Sequence, residues 1–163
     1  MIKISEFGLI TEKEMKCFKS LEYDELMDWQ FNLMQDLIDT SNDIIHKEYK
    51  DDIILQQGLI MIRLMILLNM VNNTIIVRFP DSRMADFIRE QYTICKKPVS
   101  DLITEEINEL KEHFDELKEI LNVDFKNENR RMAGVNMVNR IATLNLREYE
   151  DALNRIFKEP EKV

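Results

Sequence analysis

Residues 101–122 read DLITEEINELKEHFDELKEILN, and in them Ile103, Ile107, Leu110, Phe114, Leu117 and Leu121 follow at alternating spacings of four and three. That spacing lines the six side chains up on one side of an α-helix, the narrow seam by which a helix packs along its length against another. Eight acids and two lysines between Asp101 and Ile120 fill other positions, giving the segment a charge of -6 on its outer face. The seam is too short for a free-standing coiled coil, so the helix belongs to a bundle or to a dimer zipper within a larger interface.

Working outward, Ser100 is expected to cap this helix, and Lys96-Lys97-Pro98 to close the one before it, which opens at Pro80-Asp81-Ser82 and runs to about Cys95. Further upstream, Ile53–Val71 is 19 residues long and very apolar, but it holds Gln56, Gln57, Gly58, Arg63 and Asn69. An arginine near the middle is costly in lipid, so a buried bundle helix with Asp51 and Asp52 at its start is the better reading. Asn72-Asn73 then reads as a turn. Thr74–Phe79 (TIIVRF) is β-branched and aromatic enough for a short strand or hairpin. Leu21 to about Lys47 carries a broad stripe of helical period, and Thr11-Glu12-Lys13-Glu14 has the form of a capping box for a short helix to about Ser20. Downstream, Asn129–Arg147 carries four arginines and no acid, and Asn145-Leu146-Arg147-Glu148 resembles a cap for a terminal helix to about Lys158.

The composition excludes several function classes. Three glycines in 163 residues, Gly8, Gly58 and Gly134, stand too far apart for a Walker A loop or a dinucleotide fingerprint. With three prolines as well, the chain has too few turn formers for a sandwich or barrel. A formal charge of -9 opposes any general affinity for nucleic acid or anionic lipid and favours basic partners. The charge is uneven: -7 over 1–52, +3 over 53–100 and -5 over 101–163. Two cysteines and two histidines form no zinc pattern, Cys17 and Cys95 have no evident activating base, and the N-terminus has no signal-peptide form. A cytoplasmic protein is expected. Twenty isoleucines and thirteen asparagines beside four alanines suit AT-rich coding DNA, as in many low-GC bacteria, their phages and some large viruses.

Two groups of acids have spacings that could carry metal chemistry. Glu22-x-x-Glu25 is followed, after 22 intervening residues, by Glu48-x-x-Asp51. This is similar to the acidic signature of the all-α nucleotide pyrophosphatases, the MazG-like and dimeric dUTPase group, over some thirty residues. The resemblance implies that Glu22, Glu25, Glu48 and Asp51 hold magnesium for hydrolysis of a nucleoside triphosphate, in an obligate helical oligomer. The same acids sit at expected helix junctions, where solvated charges belong in any case. The second group sets Asp36, Asp39, Asp43 and His46 against Glu106, Glu109, His113 and Glu116, each one helical stripe, with water-facing stripes as the plainer reading.

Arg130, Arg131, Arg140 and Arg147 form a basic run that could meet a phosphate backbone, but no aromatics are interleaved, and pairing with the chain's own acidic 101–120 helix accounts for them better. Ten methionines, among them Met27, Met34, Met61, Met65 and Met70, suit core gaps. Trp29 lies off the stripe of its helix and suits a partner interface.

Together these readings predict an all-α domain spanning 1–163, a bundle of five or six helices with the one strand or hairpin near 74–79. The expected function is a non-enzymatic, acidic interaction module without a cofactor, a homodimer that modulates or inhibits a basic, DNA-handling protein in the cytoplasm, in the host if phage or viral. Its expected contacts are Glu105, Glu109, Glu112, Glu116 and Trp29. The magnesium pyrophosphatase is the first alternative, and nucleic-acid binding through 129–147 the second.

Overall fold

A computed structural model of the chain describes residues 12–93 and 96–158. Thr11 of the expected capping box and Cys95 lie outside the described residues. The described residues form six α-helices: α1 (Glu12–Ser20), α2 (Tyr23–His46), α3 (Asp51–Arg78), α4 (Arg83–Glu90), α5 (Val99–Glu119) and α6 (Glu128–Lys158). A π-helical turn, Ile120–Asp124, continues α5 before the chain reverses. No strand occurs among the described residues, and the chain is all-α.

α3 is the axis of the bundle. It is long and apolar enough to cross a membrane by length and composition, but here it packs against each of the other five helices. Leu55, Met61, Ile62, Val71 and Ile75 are fully buried along it. Each large apolar side chain so removed from water contributes on the order of 1.5–3 kcal/mol. Asp51 and Asp52 begin the helix as expected, where its positive dipole end favours them.

The expected turn and strand at 72–79 do not form; α3 continues through them to Arg78. Asn72, Thr74 and Ile75 each find a helical use. Asn72 Oδ1 accepts from Gln30 Nε2 of α2 at 2.6 Å. Thr74 Oγ1 donates to the Met70 carbonyl at 2.8 Å, and Ile75 enters the core with no exposed surface. Burial against neighbouring helices thus outweighs local β-propensity. Arg78 then donates to the carbonyls of Phe18 and Leu21, supplying partners at the end of α1, and stacks over Phe79.

Caps explain most other boundaries. Ser82 accepts from Ala85 N at 3.2 Å at the start of α4. Pro98, not Ser100, is the residue preceding α5. Asn127 Oδ1 accepts from Arg130 N at 3.2 Å as α6 begins. α6 then runs unbroken to Lys158, so Asn145 is no cap; it is buried in mid-helix, with Nδ2 at 3.5 Å from Met65 Sδ of α3.

The seam of α5 is spent inside the chain. Ile103, Leu110, Phe114 and Leu117 are buried and Ile107 and Leu121 half-buried, with α5 lying along α3. α6 covers a further side of α3 through a close crossing made by two of the three glycines. A Cβ on Gly58 would overlap Val138 Cγ2 and stand 3.2 Å from Val138 Cγ1, and one on Gly134 would stand 3.0 Å from Leu55 Cδ2. Each glycine receives a side chain of the other helix.

Candidate partner-binding face

With its seam fixed on α3, α5 turns the opposite side outward, and Glu105, Glu109, Glu112 and Glu116 are all exposed there. Asp101, Asp115 and Glu119 are exposed beside them. The face is only lightly neutralised. Lys97 pairs with Glu105 at 2.6 Å, and His113 Nε2 lies 3.7 Å from Glu109. Exposed pairs of this kind contribute about 0–1 kcal/mol, so the carboxylates stay available to a partner.

At one edge of this face Glu106 is half-buried and accepts from the Tyr92 hydroxyl at 2.8 Å. Burial, reinforced by the Glu106 charge, pushes the Tyr92 hydroxyl well above its ordinary range. Desolvation also raises the half-buried Tyr149, with Glu148 and Glu106 adding to it. Glu148 itself is raised by desolvation and then by repulsion from Glu106. At this corner Glu106 and Glu148 lie close enough to repel one another, crowding the edge of the acidic face.

Trp29 lies on α2, which packs chiefly on α3 and α6. It is 41% exposed, with its ring edge-on to Phe18 at 5.2 Å. It shares a shallow recess with Glu25, Asp28, Asn32, Leu33 and Asp36. Trp29 and the α5 glutamates therefore belong to different helix surfaces.

The four acids of the pyrophosphatase-like signature do not converge within one chain. Glu22 precedes α2, where it and Glu25 form a reciprocal capping box, with Glu22 N donating to Glu25 Oε1 at 3.2 Å. Glu48 and Asp51 stand beyond the other end of α2, whose 24 residues span about 36 Å at 1.5 Å per residue. Asp51 is paired with Arg131 at 2.9 Å. The two stripes of acids and histidines do not group as metal ligands either; α2 packs chiefly on α3 and α6, and α5 on α3. Among the described residues no three His, Cys, Asp or Glu side chains group as metal ligands.

The basic run divides. Arg130 pairs with Asp124 at 2.7 Å and Glu119 at 3.5 Å, holding the start of α6 to the end of α5. Arg131 reaches Asp51 and lies over the Phe125 ring, tying α6 to α3. Pairing with the acidic helix thus holds for Arg130 alone. Arg140 and Arg147 are exposed on α6 and make no ion pair among the described residues.

Sequence reasoning missed the inner side of α6. Val135, Val138, Ala142, Asn145, Tyr149, Ala152 and Ile156 alternate spacings of three and four, the same signal as in α5, carried by small or polar residues. Comparison of the chain with protein-family models, with curated proteins and with solved structures gives no match.

Proposed function

We propose that this protein is a non-enzymatic interaction module that docks the acidic outer face of α5 on a basic protein partner, and so modulates or inhibits it. The observation that carries the reading is the two-sidedness of α5: four exposed glutamates in one row, on a helix whose other side is fixed to α3. A face held this way loses little conformational freedom on binding, which favours affinity. Charge spacing supports a DNA-handling partner. Eight acids from Asp101 to Glu119 span about 27 Å along the helix axis, one per about 3.9 Å, comparable to the roughly 3.4 Å between phosphates along one strand of DNA. A protein that binds duplex through lysines and arginines would meet a similar line of charge here.

The isoleucine- and asparagine-rich composition is compatible with a phage or viral inhibitor acting in a host cytoplasm. If two copies associate, they do so through surface other than the α5 seam, which one chain already fills. The observations do not favour a second reading, since the pyrophosphatase-like acids lie at opposite ends of α2 and half of the basic run is engaged internally.

The experiment is a paired capture from cell lysate with the wild-type chain and a variant carrying Glu105→Gln, Glu109→Gln, Glu112→Gln and Glu116→Gln. A DNA-handling protein retained by wild type and lost from the variant is the expected result. Equal recovery on both baits rejects the proposal.

A further inference from the structure

A groove of about 220 Å³ opens between α1, α3 and α5, away from the glutamate row. Its apolar wall is Phe18, Ile66, Met70 and Ile107, and its polar margin includes Asn73, Thr74, Thr104 and Asn108. The residues of α3 and α5 recur there at helical spacing, so each helix lends the groove one side.

Two observations give the groove a chemical preference. First, Lys19 of α1 and Lys111 of α5 both line it, and neither forms an ion pair with a described residue. In a chain of net charge -9, two uncompensated lysines at one apolar groove create a local site for an anion. Second, Asn73 lines the same groove and its buried Oδ1 has no hydrogen-bond partner. A buried acceptor left unmet is costly, and a ligand N–H or O–H at that atom would remove the cost.

We propose that this groove binds a small amphipathic anion: a carboxylate or sulfonate with an apolar body that fills the wall and a hydrogen-bond donor within reach of Asn73. A dry cavity of about 150 Å³ admits benzene, so the groove seats one ring system of a ligand whose remainder lies at its open mouth. Apolar lining with a few placed polar groups is the usual make-up of a small-molecule site.

Anilinonaphthalene sulfonate has all three elements, and its uncharged counterpart phenylnaphthylamine keeps the apolar rings and the N–H but lacks the sulfonate. Fluorescence titration of the full chain is expected to give saturable binding of one sulfonate dye per chain. The Lys19→Gln, Lys111→Gln double variant, its helical circular dichroism unchanged, is expected to weaken the sulfonate about tenfold and leave the neutral dye as before. Asn73→Leu is expected to weaken both dyes without lowering the melting temperature. Sulfonate affinity unchanged in the lysine variant, both affinities unchanged in Asn73→Leu, or no saturable one-to-one binding overturns the proposal.

Discussion

Replacing Gly58 by alanine sets two effects of opposite sign against each other. Removing glycine from a helix interior favours folding by about 1 kcal/mol. The new Cβ would overlap Val138 Cγ2 and lie 3.3 Å from Leu117 Cδ1, and overpacking of this kind costs about 1–3 kcal/mol. Val138 has no exposed surface, and a β-branched side chain in a helix has one strongly preferred rotamer, so it cannot turn aside. The overlap wins, and Gly58→Ala is expected to lose about 1 kcal/mol, or roughly 2–4 °C of melting temperature. Val138→Ala removes two methyl groups and costs about 1.6 kcal/mol in transfer free energy alone. The double variant places the new Cβ in the space those methyls leave, so its loss is expected to fall short of the sum of the single losses by about 1 kcal/mol. Urea unfolding followed by circular dichroism measures all four proteins. A gain near 1 kcal/mol from Gly58→Ala, with additive behaviour in the pair, would refute the close crossing of α3 and α6.

Three further perturbations follow from the same architecture. Phe114→Ala, which empties a fully buried site between α5 and the core, is expected to cost about 3–5 kcal/mol and to leave any dependence of the melting temperature on protein concentration as in wild type; a concentration dependence that this variant abolishes would place the seam between chains. Glu148 is exposed overall, but partial desolvation and then the Glu106 charge raise its folded-state pKa, so the native state holds its proton more tightly, and this group contributes stability that is lost as pH rises through that pKa. Glu148→Gln is therefore expected to raise the melting temperature at neutral pH and to flatten its fall with rising pH above the ordinary glutamate range; a lower melting temperature at neutral pH speaks against the crowded corner. Ser82→Ala removes the one side-chain cap of α4 and is expected to cost about 1 kcal/mol in thermal unfolding, with no change counting against the cap.

The parts of the fold legible in the sequence were those with large apolar residues in unbroken period. The α5 seam and the apolar α3 core segment could be read directly, because leucine, isoleucine and phenylalanine mark a buried line against charged neighbours. α6 has the same alternation, yet Ala142, Asn145 and Ala152 stand where large apolar side chains would announce it, so its buried line is masked by small and polar residues. Asn145 was misread as a cap because its helical use depends on Met65, 80 residues away. Thr74–Phe79 was misread for a related reason, since β-branched residues favour strands only until a neighbouring helix buries them. At the candidate face, the row of glutamates follows from the seam by helical period. That Trp29 lies on another surface, and that Arg131 answers Asp51 instead of α5, depended on how helices distant in sequence are arranged.

Binding by the exposed carboxylates of α5, as proposed, is tested in competition with DNA. For a captured DNA-handling partner, the wild-type protein should displace labelled duplex. Its affinity should fall steeply as salt rises, and the four-glutamine variant should lose both the displacement and most of the salt dependence. Equal displacement by the variant, with an unchanged salt slope, would contradict the account.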